Sequence, residues 1–174
     1  METCEVLIIG GGPAGASCAW RLVQKAIDTR LLDAQVFPRL KLCAGWITPD
    51  VVADIQLDQA TYPHRFNSFS HFQVHLFGLN YKLASVQHSI RRYEFDDWLL
   101  KRSGVPVSVH NVREIRREGD YYIVDEQFRA RYLVGAGGTK CPVYRTLFRD
   151  SNARAKELQT VTLEQEFAYP YTDP

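Results

Sequence analysis

Cys4-Glu5-Val6-Leu7-Ile8-Ile9-Gly10-Gly11-Gly12-Pro13-Ala14-Gly15 is the stretch on which the reading of the fold turns. Val6 to Ile9 form a continuous β-branched and leucine run, which suits a parallel strand buried on both faces better than an alternating edge strand. Gly10, Gly12 and Gly15 then satisfy G-x-G-x-x-G. In that pattern the first glycine permits a tight turn, the second lets backbone approach a pyrophosphate, and the third lets a helix pack close to the strand. From Pro13 the period changes. Ala16, Ala19, Trp20, Leu22, Val23 and Ala26 recur at helical spacing, with Arg21, Gln24 and Lys25 on the other face. Pro13 fits a helix start, where its missing N–H costs little, and the helix N-terminus carries about half a positive charge toward any anion the loop holds.

Thr29 to Asp33 follows as a second short strand, ending in a carboxylate 18 residues after Gly15. That is close to the spacing of about 20 residues at which an acid accepts hydrogen bonds from ribose hydroxyls. Three glycines also occur in plain strand-turn-helix units. The buried strand before them, the helix after them and the acid beyond favour a dinucleotide site formed by Gly10, Gly12, Pro13, Ala14, Gly15 and Asp33, with Ala34 beside it.

The chain has 174 residues, enough for one domain of ordinary size or for one domain and part of another. With 45% hydrophobic and 24% charged residues and a mean hydropathy of −0.26, it reads as globular rather than disordered or membrane-embedded. Twenty-one basic residues against 20 acidic ones leave a net charge of +1, so no global field draws the chain to nucleic acid. No stretch approaches the roughly 20 apolar residues of a membrane span, although peripheral contact with lipid stays open. The four cysteines form no C-x-x-C pair, which points to free thiols and a cytoplasmic location. His71 and His75 share one face of an expected strand without a third ligand nearby, so no metal site is expected.

Beyond Asp33 the pattern predicts a short helix from Thr48-Pro49-Asp50 and a connector over Pro63 to Ser68. A hairpin follows, with Phe72, Val74 and Leu76 on one strand and Tyr81 to Val86 on the other, turning at Gly78-Leu79-Asn80. A helix over Tyr93 to Leu100, with Asp96 and Asp97 in its first turn, ends at Gly104. Val105 to Val109, Val112 to Arg116, Tyr121 to Val124 and Phe128 to Arg131 read as strands, and Thr160 to Phe167 as one more.

Four stretches carry a resemblance to a known family. Glu5 to Gly15 resembles the FAD-binding start of flavoprotein oxidoreductases of the p-hydroxybenzoate hydroxylase-like fold. Phe37-Pro38-Arg39-Leu40-Lys41-Leu42-Cys43-Ala44-Gly45 is similar to the P-R-x-K-x-C-G-G stretch of the geranylgeranyl reductase branch, with Ala44 in place of a glycine. Arg92, Phe95, Asp96 and Leu99 match its R-x-x-F-D-x-x-L segment. Tyr132 to Arg145 resembles D-G-x-x-S-x-V-R, where Gly138, Val143 and Arg145 match while Gly137 and Cys141 stand at the aspartate and serine.

This resemblance implies an α/β fold: a Rossmann-like FAD-binding domain with a parallel sheet and an inserted antiparallel β-sheet portion. It covers residues 1–174 as the cofactor domain, with 60–90 as a substrate-side insertion, and family members continue well beyond. It implies FAD as cofactor, NAD(P)H as a candidate electron donor, and a small-molecule substrate of lipidic or aromatic character. Arg39, Lys41, Ala44, Gly45, Arg92, Gly137 and Gly138 join the cofactor residues on this basis. Cys43 becomes the one candidate for chemistry, against the alternative of a small buried hydrophobe. For Arg92 the alternative is a surface ion pair with Glu94 or Asp96.

The implied activity is hydride transfer through flavin to a C=C bond of an isoprenoid-like substrate. Two alternatives stay open. One is a flavin-dependent aromatic hydroxylase. The other is a non-catalytic nucleotide-binding fragment, because the family's later G-D segment is not found and Gly119-Asp120 falls in a hairpin turn.

Overall fold

A computed structural model describes residues 1–155 and 161–166. The strand β1 (Glu2–Ile9) lies at the centre, with β2 (Thr29–Asp33) parallel on one side and β9 (Phe128–Gly135) parallel on the other. Neighbours on both edges and layers on both faces explain why Val6 to Ile9 is uninterruptedly apolar: Leu7 and Ile8 have no exposed surface. The remaining strands are β6 (Val107–Val109), parallel at the edge beside β2, and β7 (Ile115–Glu118) with β8 (Tyr121–Val124), which meander antiparallel into β9. The six-stranded order is β6-β2-β1-β9-β8-β7.

Helix α1 (Pro13–Val23) and helix α3 (Arg92–Ser103) cover one face. Val6, Ile8 and Leu31 from the sheet join Ala16, Ala19, Phe95 and Leu99 there, while Leu7, Ile9, Leu32 and Ala130 belong to the core on the other face. Helix α1 stops three residues earlier than the apolar spacing predicts. Its C-cap is Gln24, and Ala26, counted from sequence on the helical stripe, has φ +55 and turns the chain toward β2. Helix α3 begins at Arg92, so Glu94 is its first-turn acid. Asp96 and Asp97, placed in that turn by the sequence, sit in the second turn instead.

A separate three-stranded antiparallel sheet has the order β3-β5-β4, from β3 (Trp46–Ile47), β4 (Asn67–Leu76) and β5 (Leu79–Ser89). Helix α2 (Pro49–Asp54) lies between β3 and β4, started by Thr48, whose hydroxyl accepts from the Val51 N–H. The hairpin turns at Phe77-Gly78, both with positive φ, so Leu79 and Asn80 open β5 rather than forming the turn. The connector is correspondingly shorter, because Asn67 and Ser68 already pair with Ser89 and His88. Residues 112–114, expected to begin a strand, have no regular structure, and pairing starts at Ile115. The strand expected over Thr160 to Phe167 is not formed across residues 161–166; Thr160 and Phe167 lie outside the described residues.

Candidate functional site

Three strand ends converge on one cleft. The Gly10 N–H donates to Leu32 O (2.7 Å) and the Ala136 N–H donates to Ile9 O (2.8 Å), which ties the ends of β1, β2 and β9 together. The approach is close enough to require glycine. Gly10 has φ +113, and a Cβ there would meet the Ala136 carbonyl at 2.5 Å; a Cβ on Gly15 would meet Gly10 O at 1.8 Å. Helix α1 therefore starts directly on the strand end, with Pro13 at its first position and no side chain capping its N-terminus.

The cleft measures about 680 Å³. Gly10, Gly12, Pro13 and Ala14 form its floor, Asp33 and Ala34 one wall, Gly137 and Gly138 another, and Arg39, Lys41 and Arg92 close it from the loop after β2 and from α3. Eleven of the residues singled out in the sequence thus line one space. Gly15 does not line it and serves the packing of α1 on β1. Ala44 and Gly45 are also absent from it. Gly45, with φ +69, lies where a Cβ would meet Ile90 O at 1.8 Å, and its carbonyl accepts the Ile90 N–H at 2.9 Å. Its requirement comes from backbone packing onto the chain entering α3. Cys43 and Ala44 open instead into a different cavity of about 570 Å³, with Arg65, Asn67 and Ser89.

Asp33 holds the loop as well as facing the cleft: its two carboxylate oxygens accept the N–H groups of Gly11 (2.7 Å) and Gln35 (2.9 Å). Each oxygen retains acceptor capacity for a hydroxyl. A smaller extension of about 310 Å³ continues past Asp33 and Ala34 between His110, Val112 and Arg145.

The opposite wall is cationic. Arg39 reaches over the Phe37 ring (4.8 Å), and its Nη2 lies 3.4 Å from where a Gly12 Cβ would be, so Gly12 leaves room for the guanidinium. Arg92 donates from Nε and Nη2 to the two oxygens of Asp96, at 2.7 and 3.0 Å. The ion pair exists, but it is buried rather than on the surface: Asp96 is fully enclosed and Arg92 is 17% exposed. Burial opposes the Arg92 charge, yet its bonds to Asp96 and a smaller contribution from the nearby Cys43 thiol leave its pKa raised. Sequence reasoning missed Gln35, Leu40, Ala136, Thr139 and Lys140, which also line the cleft. Lys140 follows the Gly137-Gly138 turn within one short 3₁₀ turn, and that spacing was the available signal.

The site suits a dinucleotide diphosphate on two counts: a glycine loop and helix N-terminus with free donors, and a carboxylate opposite a cationic wall. Among the described residues no group of three His, Cys, Asp or Glu side chains is placed to hold a metal, and no helix is long and apolar enough to cross a membrane.

Residues 8–75 match the family model described as NAD_binding_8, NAD(P)-binding Rossmann-like domain. The chain superimposes on PqsL of Pseudomonas aeruginosa in complex with 2-aminobenzoylacetate with a TM-score of 0.73 at 16% identity, covering 96% of this chain and 48% of that one. It also superimposes on CmlS, a flavin-dependent halogenase, with a TM-score of 0.69 at 20% identity, over 84% and 31% of the two chains. The fold is that of Rossmann-like flavoproteins. In sequence, it is 32% identical over 155 residues to an uncharacterized protein of Methanosarcina barkeri, covering 84% of this chain and 40% of the relative. It is 31% identical over 198 residues to protein CbrA of Escherichia coli K12, covering all of this chain and 53% of the relative. The chain thus spans about half the length of these curated relatives, or less.

Proposed function

We propose that this chain binds FAD in the cleft between the glycine loop and the Arg39–Arg92 wall, as the cofactor portion of a flavin-dependent oxidoreductase. One observation carries the reading: residues from five separate segments, around Gly12, Asp33, Arg39, Arg92 and Gly137, line a single cleft of about 680 Å³. The loop N–H groups and the two arginines would hold a diphosphate, and Asp33 would accept from a ribose. Bound FAD would supply hydride-transfer chemistry at its ring system. Arg92 lines the cleft and lies near Cys43, which lines the second cavity, and that proximity makes the second cavity the candidate place for a substrate beside the cofactor.

Within that class, the P-R-x-K-x-C-A-G stretch supports reduction of a C=C bond in an isoprenoid-like substrate, with NAD(P)H as a candidate donor. A monooxygenase is the second reading, supported by the likeness in fold to PqsL, described as a probable FAD-dependent monooxygenase. Titration with FAD, NADP and ADP, followed by flavin absorption and fluorescence, tests the first level. FAD binding tighter than NADP with a perturbed flavin spectrum is the expected result. No retained flavin and equal response to all three would leave a generic nucleotide site. Product analysis with and without oxygen then separates reduction from hydroxylation.

A further inference from the structure

We propose that Asp96 is a positioning residue for the diphosphate end of the cleft: one enclosed carboxylate that fixes the guanidinium groups of both Arg92 and Arg39 beside the glycine loop. The proposal rests on reading the cleft as a dinucleotide site. The two arginines come from distant parts of the chain, one from the loop after β2 and one from the start of α3, and both line the cleft. They meet at the same acid. Asp96 accepts from Arg92 Nε at 2.7 Å and Nη2 at 3.0 Å, and its Oδ2 lies 3.9 Å from Arg39 Nη2. Both arginine side chains are 17% exposed, and the acid is 0% exposed.

The neighbouring acid shows what an ordinary helix pair looks like. Asp97 meets Lys101 at 2.7 Å with the lysine 73% exposed, an arrangement of little energetic consequence. Asp96 differs, because an enclosed ion pair is commonly no more stabilising than apolar residues of the same volume. Its value lies in geometry. Arg92 presents one edge of its planar fork to the carboxylate, which leaves the remaining N–H groups directed by that bond. Arg39, its guanidinium over the Phe37 ring and its Nη2 in ion-pair range of the same acid at 3.9 Å, is restrained more loosely, by charge rather than by a hydrogen bond. Two long cationic side chains are thus ordered during folding, so an incoming diphosphate does not have to order them itself. Without the carboxylate the two like charges would repel each other, and each would be free to turn away from the loop.

ADP and adenosine, which share a nucleoside and differ in the diphosphate, separate positioning from general damage. In the full chain Asp96→Asn is expected to lower ADP affinity about tenfold while adenosine affinity changes less than twofold, and Asp96→Glu is expected to recover most of the ADP affinity. A folded Asp96→Asn protein that keeps its preference for ADP, or loses both ligands equally, would overturn the proposal. If Asp96→Asn does not melt cooperatively, arginine side-chain NMR of the unsubstituted chain decides. The Arg92 Nε–H is expected to exchange slowly and to stay unshifted on ADP addition while other guanidinium signals move; fast exchange sinks the idea. If the unsubstituted chain itself binds ADP no better than adenosine, the dinucleotide reading of the cleft fails, an outcome distinct from the others.

Discussion

The two sheets of this protein both carry apolar faces and end in opposite situations. In the six-stranded sheet, β1 and β2 contribute Leu7, Ile8, Leu31 and Leu32 with no exposed surface, and the strand ends deliver Gly10, Asp33 and Gly137 to one cleft. In the three-stranded sheet, register places Phe72, Val74 and Leu76 across from Leu83, Tyr81 and Leu79, one apolar face on which Leu76, Leu79 and Leu83 remain more than half exposed. A strand pattern therefore specifies a face that wants covering, and only the layers packed on it decide whether it is covered. The larger sheet takes the layer on one of its faces from α1 and α3, and its strand ends line the cleft.

The largest test of that contrast compares two leucines. Leu31→Ala, at a fully enclosed position, is expected to cost about 2 to 5 kcal/mol in denaturant unfolding, while Leu83→Ala, 54% exposed, should cost under about 1 kcal/mol. Equal costs would mean that the apolar face of the smaller sheet is covered in solution.

Next in size is an ionised turn in the larger sheet. Asp125, between β8 and β9, accepts from the N–H groups of Arg113 and Glu114 and contacts His110 Nε2 at 2.6 Å. Burial pushes its pKa up, but the Glu114 N–H, His110 and the Arg113 N–H outweigh that and hold the carboxyl below the usual aspartate range. A depressed folded-state pKa gives stability that is fully present above the unfolded value, near pH 4, and is lost as pH falls through the folded value. Asp125→Asn should therefore cost about 1.5 to 3 kcal/mol at pH 7, and the two unfolding curves should converge below about pH 4. A gap that persists at low pH would assign the loss to something other than the charge.

Smaller again is the effect of the cationic wall. Arg39→Met should leave stability nearly unchanged and weaken FAD or ADP about tenfold, or about 1.4 kcal/mol, with a shallower salt dependence in titrations. The smallest effect belongs to the hairpin tip. Phe77 has φ +50 and is 94% exposed, and a left-handed backbone costs most side chains about 1 to 2 kcal/mol. Phe77→Asn gives the Asn-Gly pair that such two-residue turns favour, so thermal unfolding should show a gain of about 0.5 to 1 kcal/mol. A loss would show that the ring is packed against something in solution.

Much of this site was legible because its signals are local. The order of strand, glycine loop, helix and acid lies within residues 6–33, and Gly10 and Gly15 there answer contacts with backbone that a Cβ could not make. Gly45 shows what a local motif leaves out: it stands in a matched stretch, and the backbone it packs against is that of Ile90, 45 residues away. Asp96 shows the same limit. Placed in the first turn it would have answered the helix dipole; one turn further on, inside the core, it answers two arginines instead.

The sequence by itself determined the strands, the glycine turn, helix α1 and the acid that ends β2, since backbone sterics and hydrophobic periodicity act over a few residues. The tertiary structure alone decided which cations meet at the cleft, that Cys43 faces another cavity, and that one apolar sheet is enclosed while the other is open. Those outcomes depend on segments far apart in the chain being brought within a few ångströms, a distance that no local pattern encodes.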